Sequence, residues 1–273
     1  MPRKPLVNPV CAVLHPGAMG AAVAACLVGR GHQVGWLRTG RSEATSRRAK
    51  QAGLTPFDDL AELLTHTDIV FLICPPHGAF EVARQLAGFG GIVVDANAVS
   101  PETSVLIDRT VTGSGGRYVD GGIIGPPPIT AGTTRLYLAG DDGEIANLFA
   151  GSALDAVSLT GTPPAASALK MTYAAWTKTT AALLVSIRHT AAAYGVDDDL
   201  VREWAISQPH LETAWLHARR QSYEKGWRWS YELAEVGRTF AAVGQPNGFG
   251  AAASEVFAAS SDEDLPGKPL NDT

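Results

Sequence analysis

Val10–Gly20, with the sequence VCAVLHPGAMG, is the segment that decides the fold. Its first five residues are apolar without interruption, which is typical of a parallel strand buried on both faces. Two glycines, Gly17 and Gly20, then open a helical pattern. A strand, a glycine turn and a helix in this order form the context of a dinucleotide-binding fingerprint.

Each residue of this turn has an expected role. Gly17 lets the backbone approach a pyrophosphate, and Gly20 lets the helix pack closely on the strand. Ala18 and Met19 belong to the first helical turn, whose free N–H groups bind phosphate. His15 stands where the fingerprint has its first glycine. A glycine pair of this kind also occurs in ordinary strand-to-helix turns, so this motif alone leaves that alternative open.

Composition narrows the class of protein. The chain has 273 residues, 45% of them hydrophobic and 18% charged, and a net charge of −5. These values exclude a disordered chain and argue against a general nucleic-acid binder. No apolar run approaches the roughly 20 residues of a membrane span. Three cysteines and no metal-ligand spacing predict free thiols in the cytoplasm and no metal site.

The hydrophobic pattern predicts an α/β fold in which a doubly wound parallel sheet of the Rossmann type precedes an all-α domain. Short apolar runs separated by helical patterns predict strands at 10–14, 34–37, 69–73, 92–95, 118–120 and 136–139. After Pro163-Pro164 the pattern becomes helical, with a long interdomain helix from Ala165 to about Tyr194. We expect a nucleotide-binding domain at 1–162, a helical substrate and dimerisation domain at 163–260, and a mobile tail at 261–273.

The segment after the second predicted strand indicates the type of nucleotide. An NAD-specific fold carries a carboxylate there, which binds the ribose 2′-hydroxyl. This chain has Arg38, Thr39, Arg41 and Ser42 instead, and no carboxylate before Glu43. Guanidinium and hydroxyl groups suit a 2′-phosphate, so the segment favours NADPH. A solvated basic turn is the alternative, and Ser42 is also a good N-cap for the next helix.

Six segments, taken in order, resemble the β-hydroxyacid dehydrogenase superfamily, which includes 6-phosphogluconate dehydrogenase and the imine reductases. The resemblance spans most of the chain. It is carried by residues 15–20, 37–39, 74–76, 95–101, 120–126 and 161–170. The second half, from Trp227 to Ala253, resembles a less characterised helical domain of some superfamily members.

The resemblance implies roles for residues beyond the glycine turn. Cys74 and Pro75 correspond to the chain that passes the nicotinamide ribose, and Asn97 to the residue that reaches the nicotinamide. A loop at Ile123, Ile124 and Gly125 corresponds to the substrate-binding segment. Lys170 corresponds to the catalytic lysine, which acts as general acid or base. Without the resemblance, Lys170 has the pattern of a solvated helix lysine.

Departures from the family pattern bear on the substrate. Hydroxyacid members place Asn and Ser where this chain has Ala174 and Ile124, so part of their carboxylate-binding set is missing. Tyr173 and Trp176 offer aromatic surface instead, and we expect a bulkier, less acidic substrate. Imine reductases place Asp or Tyr where Lys170 stands, so the chain lies between the two branches.

The sequence therefore predicts an NADPH-dependent oxidoreductase that transfers hydride to a C=O carbon of a ketone or a 3-hydroxy or keto acid-like substrate. Two alternatives stay open, an imine reductase acting on C=N and a non-catalytic NADP(H)-binding sensor. We expect a homodimer that packs its helical domains together, with no nucleic-acid or membrane partner.

Overall fold

The computed structural model describes residues 8–259, which form two compact units. The first unit ends at Lys170 and is an α/β domain, and the second begins at Met171 and is helical. The expected mobile tail, 261–273, lies outside the described residues. Within residues 8–259, no helix is both long and apolar enough to cross a membrane.

The first unit is built on one sheet, whose eight strands in the described part of the chain follow the order β3-β2-β1-β4-β5-β6-β7-β8. Strands β1 to β6 are parallel, β7 is antiparallel to β6, and β8 is parallel to β7. The strands are β1 Cys11–Val13, β2 Val34–Leu37, β3 Thr55–Phe57, β4 Ile69–Leu72, β5 Ile92–Asp95, β6 Arg117–Ile124, β7 Thr134–Ala139 and β8 Leu154–Ser158. The order reverses between β1 and β4, which is where doubly wound folds bind ligands.

The helices of this unit connect the parallel strands, and two of them begin at serine caps. Ser42 caps α2 and Ser100 caps α5, each accepting a backbone N–H three residues on. The helices are α1 Ala18–Gly29, α2 Glu43–Gln51, α3 Leu60–Thr65, α4 Ala79–Arg84 and α5 Pro101–Gly113. Ser42 is thus confirmed as the N-cap of the second helix.

The sheet is buried on both faces, which explains the uninterrupted apolar runs. In β1, Cys11 and Val13 pack into one hydrophobic cluster, while Ala12 and its neighbour Leu14 pack into the other. The same alternation holds in β4, where Phe71 lies on the first face and Leu72 on the second. Period-two alternation between two apolar environments leaves no polar position in β1 or β4.

The predicted fold class is confirmed, but two strands were missed. Strand β3 has only three residues, includes Pro56, and lies at the sheet edge, where a proline costs no ladder bond. Strand β8 lies at the other edge, and only Leu154 of its five residues is buried. Edge strands lack the apolar signature of the central ones, so composition alone did not reveal them.

The second unit consists of helices. The helix predicted from Ala165 to about Tyr194 is present, but a π-helical turn at Ala175–Thr179 divides it into α6 Ala165–Ala174 and α7 Thr180–Ala193. Along the chain, the boundary between the two compact units falls within α6. The remaining helices are α8 Asp197–Ser207, α9 Leu211–Ala242 and α10 Gly248–Ala259.

Helices α9 and α10 approach each other closely at glycines. A methyl group on Gly250 would lie 2.5 Å from the backbone nitrogen of Gly237, so no larger residue fits there without movement. Beside this crossing, Leu233 and Phe257 are fully buried and share a core with Ala182 of α7. Helix α9 extends over 32 residues.

Candidate functional site

The turn between β1 and α1 is shaped for an anion. Gly17 is the N-cap of α1 and no side chain caps this helix, so its first N–H groups are left to solvent or a ligand. A methyl group on Gly20 would lie 2.5 Å from the carbonyl oxygen of His15. Gly20 therefore allows the close packing of helix on strand that the fingerprint requires.

Two polar groups beside this turn are buried without hydrogen-bond partners in the described chain. They are Nδ1 of His15 and Nε of Arg41. Burial and, to a lesser extent, the charge of the Arg41 guanidinium lower the pKa of His15 to about 4, so the imidazole is neutral at pH 7. Orphaned polar atoms of this kind call for an explanation, and a polar ligand in the crevice would satisfy them.

Arg41 also interacts electrostatically with Cys74, which follows β4. Burial, followed by the charge of Asp95, raises the pKa of the Cys74 thiol to about 12, so the thiol stays protonated. His15 follows β1 and Cys74 follows β4, and these are the two strands between which the sheet order reverses. Arg41 thus brings a positive charge to the switch point, away from Arg38.

Arg38 has a partner that the sequence analysis did not predict. Its Nε donates to Oδ1 of Asp58 at 2.8 Å, and a second guanidinium nitrogen binds Oδ2 of the same carboxylate. The side chains of both residues are more than half exposed. The segment itself has no carboxylate before Glu43, but Asp58 reaches Arg38 from the residue that follows the missed strand β3. Neighbouring Thr39 donates its hydroxyl to the backbone carbonyl of Asp58 at 2.6 Å.

Two hydrogen bonds hold the side-chain amide of Asn97 in one orientation at the carboxyl end of β5. Its Oδ1 accepts the backbone N–H of Cys74 at 2.6 Å, and its Nδ2 donates to Oδ1 of Asp95 at 2.7 Å. The side chain is only 2% exposed. Asn97 thus ties the end of β5 to the end of β4, just before Pro75, which caps a short 3-10 turn at Pro76–Gly78.

A chain of buried hydrogen bonds continues from Asp95 to the next strand. The hydroxyl of Tyr118 donates to Oδ2 of Asp95 at 3.2 Å and lies 2.8 Å from the hydroxyl of Ser104. Ser104 in turn donates to Asp120 at 3.3 Å. The pKa of Asp95 is raised to about 7, because burial and the nearby charge of Asp120 outweigh the opposing effect of the hydrogen bonds from Asn97 and Tyr118.

Asp120 fastens the start of α6 to β6. Its carboxylate accepts the backbone N–H groups of Ala166 at 2.7 Å and Ser167 at 3.0 Å, and the Ser167 hydroxyl at 2.5 Å. Burial raises the pKa of Asp120, while these hydrogen bonds lower it. A carboxylate at a helix N-terminus satisfies donors that have no partner within the helix.

Lys170 lies one turn further along α6, half-buried and close to β6. A methyl group on Gly122 would lie 2.6 Å from the carbonyl oxygen of Ala166 and 3.1 Å from Cβ of Lys170. Only a glycine at this position of β6 lets the helix lie so close. The strand therefore sets where the backbone of Lys170 lies.

The substrate candidates are more widely spread. We expected Ile123 and Ile124 to lie in a loop, and this expectation was wrong. Both residues belong to β6 and pair with Leu136 and Arg135 of β7. Each is only 5% exposed. Gly125 follows with a φ of +126°, a value that favours glycine.

Two aromatic candidates belong to the second unit. Tyr173 lies in the last turn of α6 and Trp176 in the π-helical turn, and they are 48% and 74% exposed. Within the first unit, the structure brings the nucleotide-binding candidates together at the carboxyl ends of the parallel strands.

Sequence reasoning also missed a buried ion pair in the second unit. Lys178, in the π-helical turn, pairs with Glu232 of α9, and its ammonium lies 5.5 Å from the centre of the Trp229 ring. Both charged side chains are almost completely buried. The only signal in the sequence was a lysine two helical turns after Lys170 in an apolar helix, which does not reveal a partner more than 50 residues away.

Two family models match the chain. The model described as NADP oxidoreductase coenzyme F420-dependent matches residues 11–99, and the model of a domain of unknown function, DUF1932, matches residues 191–260. A curated relative, an uncharacterized 28.5 kDa protein of Methanothermus fervidus, is 29% identical over 163 residues. The match covers 59% of this chain and 63% of the relative, which is less than two thirds of the relative's length.

Solved structures with the same fold cover nearly the whole chain. A conserved protein of unknown function, whose structure was described as similar to 3-hydroxyacid dehydrogenases, has a TM-score of 0.69 at 24% identity and covers 92% of this chain and 96% of its own. The 3-hydroxyisobutyrate dehydrogenase of Mycobacterium tuberculosis, solved with L-serine, has a TM-score of 0.69 at 18% identity and coverages of 95% and 96%. An imine reductase variant from Myxococcus stipitatus, solved with NAD+, has a TM-score of 0.54 at 16% identity and coverages of 92% and 93%.

The chain has the 3-hydroxyacid dehydrogenase fold. Its C-terminal helices match DUF1932, and the 3-hydroxyisobutyrate dehydrogenases and imine reductases are among the proteins to which its structure is similar. The resemblance predicted from the six motifs is thereby confirmed. The family model matched by residues 11–99 supports a pyridine-nucleotide oxidoreductase, and hydroxyacid dehydrogenases and imine reductases share the fold.

The raised pKa of Asp95 predicts a pH-dependent stability difference. Because the folded-state pKa of about 7 exceeds the unfolded value, the folded protein binds more protons between pH 4 and pH 7, and stability falls as pH rises. The slope is at most about 1.4 kcal/mol per pH unit. The Asp95→Asn variant has no carboxylate to titrate at this position. The difference between its free energy of unfolding and that of the wild type should therefore shift in favour of the variant from pH 5 to pH 7.

Urea unfolding at pH 5, 6, 7 and 8 measures this difference. Asp142→Asn, which removes an exposed carboxylate, is the control and should run parallel to the wild type. Parallel curves for Asp95→Asn and the wild type would contradict a titration of Asp95 in this range.

Proposed function

We propose that the protein is an NADPH-dependent oxidoreductase that reduces the C=O carbon of a ketone or keto acid-like compound, or in reverse oxidises the corresponding 3-hydroxy acid, with Lys170 as general acid or base. The observation that carries the proposal is the uncapped N-terminus of α1 at the switch point, where Gly20 allows close packing and Arg41 adds a positive charge. This arrangement suits a dinucleotide, whose phosphates need N–H donors and positive charge.

The residues of the first unit divide the binding of the nucleotide among them. The N–H groups after Gly17 would hold the pyrophosphate, and Arg41 with the neutral His15 would face it from the carboxyl ends of the strands. Arg38 and Thr39 would hold the adenosine side, where a 2′-phosphate accepts from a guanidinium fork. When bound, the nucleotide supplies the hydride.

Asn97 and its neighbours would position the nicotinamide side. The Asn97 amide is oriented by Cys74 and Asp95, so the wall of the crevice that it forms is rigid before any ligand binds. Preorganised groups of this kind lose no free energy to reorganisation during the reaction. The protonated Cys74 thiol offers no competing nucleophile.

Lys170 would deliver a proton to the carbonyl oxygen as its carbon is reduced, and accept one in the reverse direction. Its place on α6 is set by the capping of that helix by Asp120 and by the bare backbone of Gly122. Tyr173 and Trp176 present exposed aromatic surface on the following turns, which supports a bulkier and less acidic substrate than a small hydroxy acid.

One prediction from the proposed function concerns the preference for NADPH over NADH. The wild type should bind NADPH about tenfold more tightly than NADH, since a charge-assisted guanidinium–phosphate contact is strong. Arg38→Asp should abolish this preference in a fluorescence titration. Arg47→Asp, which reverses a charge on the exposed face of α2, is the matched control and should leave the preference unchanged within about threefold. A wild type without preference would contradict the assignment of NADPH.

The second prediction concerns Lys170. Lys170→Met should lower kcat for carbonyl reduction at least about 100-fold, because a general acid contributes on the order of 100-fold to 10,000-fold. The Kd for NADPH should change by less than about threefold, since Lys170 is not assigned to nucleotide binding. NADPH oxidation is measured with a panel of ketones and imines, and Lys50→Met is the control.

Each result of this assay separates the candidate reactions. Activity with imines that survives Lys170→Met would favour the imine reductase alternative. Tight NADPH binding without turnover of any ketone or imine would favour the non-catalytic sensor. Full carbonyl reduction by Lys170→Met would contradict the role of the lysine.

The third prediction concerns assembly, for which we propose a homodimer of the helical units. Their described surface exposes several large apolar side chains, and between α7 and α10 lies a groove of about 420 Å³ lined by Leu183 and Phe249. Light scattering after size exclusion should give twice the mass of the chain, and Phe249→Glu should shift the protein towards a monomer. A monomeric wild type at micromolar concentration would contradict the proposal.

A further inference from the structure

The ends of β2 and β3 are fastened together at the adenosine side of the candidate nucleotide site. The backbone N–H of Arg38 donates to the carbonyl oxygen of Phe57 at 2.8 Å, and the Thr39 hydroxyl donates to that of Asp58 at 2.6 Å. The Arg38 guanidinium then binds both carboxylate oxygens of Asp58. Backbone and side-chain bonds together hold this carboxylate against the guanidinium.

This ion pair is not explained by stability. More than half of each side chain is exposed, and pairs of this kind contribute little to folding. The backbone bonds of Phe57 and Asp58 already join the two strand ends. Removing the carboxylate would leave these backbone bonds in place. The main consequence of the ion pair is that Asp58 competes with any anionic ligand for the guanidinium of Arg38.

A ligand with a phosphate at this position meets two obstacles. Two of the five N–H donors of Arg38 already bind Asp58, and a phosphate bound to the remaining donors places its negative charge close to the Asp58 carboxylate. A ribose hydroxyl in the same position carries no charge and meets neither obstacle. The carboxylate therefore penalises a 2′-phosphate selectively, although the local sequence after β2 contains only cationic and hydroxyl groups.

We propose that Asp58 is a specificity-determining residue that limits how strongly the nucleotide site prefers NADPH over NADH. The inference rests on the proposed function, because it concerns the same nucleotide site. It adds a residue from β3 that opposes the effect of Arg38. The native protein would accept both nucleotides more evenly than its arginines alone predict.

Glu43, a further acidic residue of this region, has a different environment. Glu43 begins α2, its side chain is 96% exposed, and the nearest cation is Arg47 at 3.7 Å. Glu43→Gln therefore removes the same charge as Asp58→Asn from the same end of the unit without freeing Arg38. This makes it a matched control for a long-range effect of net charge.

The experiment compares the Kd values for NADPH and NADH in the wild type, Asp58→Asn, Asp58→Ser and Glu43→Gln at one ionic strength. We expect both Asp58 variants to bind NADPH about tenfold more tightly, with the Kd for NADH changed less than threefold. Adenosine 2′,5′-bisphosphate and AMP, titrated by calorimetry, should show the same difference, which locates the effect at the 2′-phosphate. Glu43→Gln should stay within twofold of the wild type.

Two results would overturn the inference. One is a ratio of NADH to NADPH Kd values in both Asp58 variants that lies within twofold of the wild-type ratio. The other is an equal gain of NADPH affinity in Glu43→Gln, which would assign the effect to net charge. A wild type that binds neither nucleotide would instead refute the proposed function, so the two failures are distinguishable. Circular dichroism checks that the variants are folded.

Discussion

The buried carboxylate of Asp120 is the interaction on which the candidate site depends. It lies in the sheet and accepts the first N–H groups of α6, so one side chain fixes both the position and the direction of the helix that carries Lys170. These N–H groups have no partner within the helix, and burying them unpaired would be costly. Gly122, two residues on and on the same face of β6, provides the space that this contact needs.

The same carboxylate connects Lys170's helix with the nucleotide-binding half of the unit. Ser104, Tyr118 and Asp95 relay hydrogen bonds from Asp120 to Asn97, and Asn97 reaches the end of β4. Two carboxylates on neighbouring strands in register, Asp95 and Asp120, repel each other when both are ionised, and burial raises the pKa of each. A network of this kind is rigid only while every member is satisfied.

The sequence predicted those features that are local in the chain. Buried central strands appear as apolar runs, and the glycine turn and the caps at Ser42 and Ser100 are set by neighbouring residues. The edge strands β3 and β8 and the π-helical turn were not predictable, because short exposed strands and a single extra residue per turn leave no periodic signature. The Ile123–Gly125 segment was wrongly expected to be a loop, since pairing with β7 depends on residues further along the chain.

Charge at a binding site is the property that local sequence predicts least well. Reading the segment after β2 alone gives two arginines and no carboxylate, yet the nearest neighbour of Arg38 is Asp58, 20 residues later. Parallel strands bring such residues together because their carboxyl ends meet at one edge of the sheet. A loop whose local sequence contains only basic and neutral residues can thus have its positive charge neutralised by a distant carboxylate. Its affinity for an anion then depends on how the arginine–anion interaction compares with the arginine–carboxylate interaction. Nucleotide preference in such a fold is therefore a property of the sheet edge as a whole, with contributions from both β2 and β3.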